Sequence, residues 1–266
     1  VLFSQGINIL LNMFFGPFVN AARGIAVQVQ GAVTQFSTNF QTALNPQITK
    51  SYALGDFTYM HSLIFRSSKF TFLLLAVISF PILLETEMIL QLWLNMVPAY
   101  TVVFVRLMLC ITIIDAMGGA FMVAAQSTGR VRFYQSVVGG ILLAIVPVSY
   151  VVLRLGAAPW SVFLIHFCVC TVAFFVRLFI IRSMIHLSLY SYFHAVLLRC
   201  LYVLLLAMPL PIGLLYIFPA TLWAGISVCF VSVLTISLSS YRVGLAEGER
   251  KFIKEKIRMF LSKRSI

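Results

Sequence analysis

One stretch of the chain decides its fold, residues 22–46, which read ARGIAVQVQGAVTQFSTNFQTALNP. At about 100° per residue, its amide and hydroxyl side chains occupy one arc of about 200° on a helix, and apolar side chains fill the rest. The polar members are Gln28, Gln30, Thr34, Gln35, Ser37, Thr38, Asn39, Gln41, Thr42 and Asn45. The pattern predicts an amphipathic helix that is long enough to cross a bilayer.

The composition of the whole chain places this helix in a membrane. Of its 266 residues, 61% are hydrophobic and 10% are charged, whereas soluble domains carry about 25% charged residues. The mean hydropathy is +1.03, and apolar runs of membrane-crossing length recur along the chain. These features exclude a water-soluble fold and predict an all-α, polytopic membrane helix bundle.

Proline and glycine mark the breaks between the predicted spans. Pro17, Pro98, Pro159 and Pro219 fall in short breaks, and Gly55 followed by Asp56 is typical of one helix ending and another beginning. Val1 lies in an apolar stretch, so we expect the chain to begin inside a truncated helix. The predicted spans are residues 1–15, 22–46, 68–92, 99–126, 133–154, 159–182, 194–217 and 220–241.

Basic residues predict the orientation, since they are retained on the cytoplasmic side. Counted by alternate loops, one side holds Arg23 and Arg154, and Arg106 lies within a span. The other side holds Lys50, Arg66, Lys69, Arg130, Arg132, Arg177, Arg182, Arg199 and the basic residues of the tail. We therefore expect a cytoplasmic C-terminus, with an amphipathic basic helix over 247–261 lying on the inner leaflet.

The polar arc of the second span predicts water inside the membrane. Amides without partners in hydrocarbon cost several kcal/mol each, so this surface has to meet water or polar protein. One or two amides would suit hydrogen bonding across a dry helix interface. Ten polar side chains in one arc exceed that need, so we favour a hydrated cavity.

Charged residues within spans are the second signal, because they tend to mark pathways. Asp115 is predicted near mid-membrane, either as a proton or sodium coupling site or as the partner of a cation on another helix. Arg106, nine residues earlier, lies on the opposite side of that helix and either contacts ligand or reaches to the interface. Arg23 stands at the N-terminal end of the polar helix, where it would favour an anion or anchor the loop to headgroups.

Other chemistries find little support in the sequence. The five cysteines lie in apolar runs without metal-ligand or redox spacing, and the four histidines are scattered. No P-loop pattern is present. We therefore predict no catalytic residue, no metal site, no cofactor and no nucleic-acid partner, and interpret the net charge of +12 as membrane topology.

Several short motifs resemble a known family of membrane proteins. They are NILLN at 8–12, FGP at 15–17, NAARGIA at 20–26, NPQI at 45–48, SYALGD at 51–56, GL at 244–245 and ER at 249–250. In these residues the chain resembles bacterial polysaccharide-biosynthesis proteins of the oligosaccharide flippase (Wzx-like) family, within the MATE-like multidrug/oligosaccharidyl-lipid/polysaccharide superfamily. The resemblance is strongest over residues 5–70.

The resemblance implies a transporter of two six-helix lobes that opens alternately to either side. Residues 1–183 would then be the second lobe, 184–241 two additional transmembrane helices, and 242–266 a cytoplasmic tail. The N-terminal lobe would be missing, and a lone lobe should not transport. The implied location is the bacterial cytoplasmic membrane.

The function implied is translocation of a polyprenyl-pyrophosphate-linked oligosaccharide from the inner to the outer leaflet. Its partners would be this lipid, the membrane, the missing lobe, and glycan polymerases and glycosyltransferases. The predicted substrate-binding residues are Asn12, Arg23, Gln28, Gln35, Asn39 and Arg106, and Asp115 is the predicted ion-coupling residue. A drug or cation antiporter, a membrane-bound glycan polymerase or ligase, and a non-transporting scaffold remain the alternatives.

Overall fold

A computed structural model describes residues 2–94, 96–218, 221–246 and 248–250. This described part is helical and contains no strand. Within it, seven helices are long and apolar enough to cross a membrane. The chain is therefore a multi-pass membrane protein, and the predicted all-α bundle is confirmed.

The helices follow one another with short connections. The first, Leu2–Ala53, consists of two parts, α1 (2–15) and α2 (17–53). The others are α3 (Phe57–Leu84), α4 (Thr86–Trp93), α5 (Thr101–Ser127), α6 (Val131–Arg154), α7 (Ser161–Ile185), α8 (Leu189–Ile217) and α9 (Leu222–Gly244).

Gly16 separates α1 from α2 by turning the chain back on itself. Its φ of 77° and ψ of −174° lie outside the helical region, and Pro17 follows. The Arg23 Nη2 atom donates to the carbonyl oxygen of Ser4 at 2.9 Å. In a straight helix these residues would be roughly 28 Å apart. The two segments therefore form a hairpin, and the break predicted at Pro17 is confirmed.

The start of α3 is set by its cap. Gly55 has a φ of 72°, and the Asp56 amide donates to Ser51 O, which closes α2. The Asp56 carboxylate then accepts a hydrogen bond from the Tyr59 amide at 2.9 Å. The span start predicted at residue 68 is wrong, because hydropathy detected only the apolar part of a helix that begins at Phe57.

The alternating helices give the bundle two ends. Trp93, Trp160 and Trp223 lie in or next to the connections at one end, here called the tryptophan end. The opposite end, the basic end, includes the connections around Gly55 and Gly129. The C-terminal helix predicted over 247–261 and the break predicted at Pro219 lie outside the described residues, apart from 248–250.

Helices α3 and α5 form the centre of the bundle. In the most apolar window of α3 61% of the residues are buried, and in that of α5 56%, against 17% for the helix that contains α1 and α2. Helices α8 and α9 pack against each other and against α3. Helix α2 therefore lies at the periphery, with much of its surface uncovered by the rest of the chain.

Candidate functional site: a polar face and a broken helix

The polar arc of α2 divides into two edges. Gln30, Ser37 and Gln41 are partly or fully buried, and Gln41 reaches α5. The opposite edge is exposed and carries Gln28, Gln35, Thr38, Asn39 and Thr42, here called the α2 polar face. A dry interface accounts for the first edge but not for the second.

The α2 polar face lies at membrane depth. Helix α2 begins at the tryptophan end, and roughly 20 residues at 1.5 Å each cross a hydrocarbon core. Gln28 and Gln35, 11 and 18 residues after Pro17, fall within that distance, and Asn39, 22 residues after Pro17, lies at its far edge. Within the face, Gln35 Nε2 donates to Asn39 Oδ1 at 3.2 Å, and Thr42 bonds to its own helix. The remaining amide groups need water or polar protein outside this chain.

Helix α5 is interrupted at Gly118, about two thirds of the way along it. The interruption leaves backbone carbonyl oxygens of α5 without amide donors from their own helix. Side chains of neighbouring helices donate hydrogen bonds to these oxygens instead. Gln41 Nε2 donates to Ala116 O, and Ser68 Oγ donates to Met117 O, each at 2.8 Å. The break thus depends on α2 and α3 for its hydrogen bonds.

Two glycines give those side chains room. A Cβ at Gly119 would overlap the Gln41 amide, and one at Gly118 would lie 2.7 Å from Arg177 Nη1. Side chains from α2 and α7 therefore cross the α5 backbone where it lacks side chains. Discontinuous helices near mid-membrane are a recurring feature of transporter binding sites.

Asp115 lies beside this break and is paired with a cation. Arg177 Nη1 is 2.7 Å from Asp115 Oδ1; the Arg177 side chain is 13% exposed and that of Asp115 is 55% exposed. The sequence prediction had placed Arg177 among the cytoplasmic flanking residues, and this was wrong. The missed signal is position, since Arg177 lies eight residues before the end of α7 with apolar residues on both sides.

Arg23 points away from the α2 polar face. It lies five residues before Gln28, which at 100° per residue is roughly 140° around the helix. Its side chain lines a cavity of about 190 Å³ together with Gln30, Asp115 and His166. The structure therefore separates Arg23 from the exposed amides with which the sequence grouped it.

Arg106 lies near the tryptophan end. Its Nε donates to Thr86 Oγ1 at 3.2 Å, and its side chain is exposed. Thr86 is the first residue of α4. That helix forms one wall of an apolar groove of about 370 Å³, and Gln28, Phe36 and residues of α3 also line this groove. Gln28 therefore belongs both to the α2 polar face and to the rim of this groove.

The predicted site residues thus fall in different places. Gln28, Gln35 and Asn39 share one face, Arg23 and Asp115 line the cavity of about 190 Å³, and Arg106 lies next to α4. Asn12 is exposed on α1. The described residues hold no group of three or more His, Cys, Asp or Glu side chains that could bind a metal ion.

A second ion pair, buried on both sides, holds the C-terminal segment. Lys69 Nζ is 2.6 Å from Glu249 Oε2, and both side chains are less than 10% exposed. The same carboxylate oxygen accepts from the Ala246 amide at 2.7 Å. Lys69 had been predicted as a flanking residue at the membrane surface. In the structure it is a buried contact between α3 and the segment that follows α9.

Comparison with known proteins adds no identification. No model of a protein family matches the chain, and no curated protein or solved structure is significantly similar to it. The function has to be argued from the polar surfaces themselves.

Proposed function

We propose that this protein moves a lipid-linked oligosaccharide across a membrane, as one lobe of an alternating-access flippase. The observation that carries the proposal is the α2 polar face, a row of amides and hydroxyls left open at membrane depth. Such uncharged groups match sugar hydroxyls, which both donate and accept hydrogen bonds. Gln28, Gln35 and Asn39 are the proposed sugar contacts.

The apolar groove beside Gln28 supports an amphipathic substrate. Its walls come from α2, α3 and α4 and include Phe36, Ile82 and Trp93. A sugar headgroup on the α2 polar face would leave its attached hydrocarbon chain next to this groove. A polar solute without a lipid part would gain nothing from contact with this apolar groove.

Charged residues take the remaining roles in the proposal. Arg106 is the proposed partner of the pyrophosphate, because its guanidinium is exposed next to the groove wall. Asp115 is the proposed coupling residue, because a proton or cation on its carboxylate would weaken its bond to Arg177. The proposed location is the bacterial cytoplasmic membrane, with the C-terminus inside, beside the glycosyltransferases that make the substrate.

A flipping assay tests this function. The full-length protein is placed in liposomes with a fluorescent polyprenyl-pyrophosphate oligosaccharide, and the fraction reached by a membrane-impermeant quencher is followed with time. The double variant Gln35→Leu/Asn39→Leu should flip about thirtyfold more slowly, because each of the two lost sugar hydrogen bonds is worth roughly 1 kcal/mol.

The control for this assay is Gln135→Leu, the same change at an exposed position of α6. It should flip at the normal rate. Wild-type speed in the double variant would remove the α2 polar face from the route. Transport of an organic cation, with no flipping of the oligosaccharide, would favour the antiporter alternative.

A further inference from the structure

Of the residues that line the cavity of about 190 Å³, the proposed function uses only Asp115. The cavity lies between α1, α2, α5, α6 and α7. Arg23, Gln30 and His166 supply its polar wall, and Asp115 forms its rim, since that side chain is half exposed. Much of the remaining lining is apolar and includes Phe3, Met108, Leu142 and Phe163.

The polar wall carries one positive charge in excess. Asp115 is matched by Arg177, and Arg23 takes part in no ion pair within the described part of the chain. Arg23 Nη2 bonds to Ser4, but its Nε is buried without a hydrogen-bond partner there. An intramembrane guanidinium without a counterion points to an anion that comes from outside the chain.

His166 provides an independent indication of a ligand. The residue is 7% exposed, and its Nδ1 finds no hydrogen-bond partner among the described residues. Its ring packs edge-on against Phe3, with the centroids 5.3 Å apart. Buried polar atoms are nearly always hydrogen-bonded. An imidazole nitrogen and a guanidinium nitrogen without partners in the lining of one cavity therefore suggest a shared acceptor.

We propose that this cavity binds a small monocarboxylate with an apolar body. Its carboxylate lies between Arg23 and His166, and its hydrocarbon part contacts Phe3 and Phe163. A water molecule occupies about 30 Å³, so a halide would leave most of the cavity unfilled. A dianion would exceed the one unpaired positive charge that Arg23 supplies to the cavity. This site is separate from the α2 polar face. Its two proposed anion contacts, Arg23 and His166, have no part in the proposed transport function, which shares with this site only Asp115 at the rim.

Benzoate is a suitable probe, with benzylamine as a matched compound of similar size and opposite charge. Unfolding midpoints of the purified full-length protein in detergent are measured against probe concentration at constant ionic strength. Benzoate should raise the midpoint saturably, and benzylamine should not. An equal shift from both compounds would overturn the proposal.

Variants locate the binding. Arg23→Gln and His166→Leu should abolish the benzoate shift, whereas Arg154→Gln, an exposed arginine elsewhere, should keep it. If Arg23→Gln does not fold, Arg23→Lys keeps the charge but lacks the planar fork. It should then need roughly tenfold more benzoate for half the shift. Unchanged benzoate affinity in the Arg23 variants would place the binding elsewhere.

Discussion

Asp115 and Arg177 form an ion pair in which the arginine is almost fully enclosed and the aspartate is half exposed. Asp115→Asn should lower the free energy of unfolding by about 1 to 3 kcal/mol. This is less than for a fully buried pair, since water reaches Asp115. The double variant Asp115→Asn/Arg177→Gln should recover part of the loss. Denaturant titration in detergent measures both, and strictly additive losses would argue against the contact.

A substitution at Gly119 tests the packing around the interruption of α5. Alanine there has to displace the Gln41 amide and so leaves Ala116 O without its donor. We expect Gly119→Ala to destabilise the protein by roughly 1 to 3 kcal/mol. Gly24 is also helical but has open space around it, so Gly24→Ala should be neutral or slightly stabilising. Equal unfolding midpoints for the two variants would contradict the packing described for α5.

At the scale of elements, the segment after α9 is held on α3 by one buried carboxylate. Glu249→Gln removes the charge that Lys69 needs and weakens the bond to the Ala246 amide. We expect a local cost of about 3 kcal/mol. Hydrogen exchange of residues 240–250 should become faster, while the exposed-site control Glu87→Gln should leave it unchanged. Unchanged exchange in Glu249→Gln would show that other contacts hold the segment.

At the scale of the whole molecule, the central question is whether water reaches the α2 polar face in the membrane. In a background without the five native cysteines, Gln28→Cys, Gln35→Cys and Asn39→Cys should react with a charged, impermeant thiol reagent. Thiol reactions require the thiolate, which needs a polar environment. Leu205 and Leu234 are exposed on the outside of the bundle among apolar residues. Lipid should therefore protect the thiols of Leu205→Cys and Leu234→Cys from the reagent. Equal protection at all five positions would mean that the face is dry.

The sequence by itself determined the class of fold and most of the helix breaks. The 3.6-residue period, the apolar runs and the residues Gly16–Pro17 and Gly55–Asp56 act locally, so they can be interpreted without knowing what packs where. The polar arc of α2 was likewise visible as a periodic pattern. Spans based on hydropathy missed the true start of α3, because an end cap rather than apolarity fixes it.

Only the tertiary structure decided how that arc is used. The structure divided the arc into an edge that packs against α5 and an edge that is exposed. It also directed the Arg23 side chain toward a cavity that lies away from Gln28. It also paired Asp115 with Arg177, 62 residues away, and Lys69 with Glu249. The physical reason is that a helix pattern gives the direction of each side chain around its own axis, whereas its partner depends on which neighbouring helix lies there.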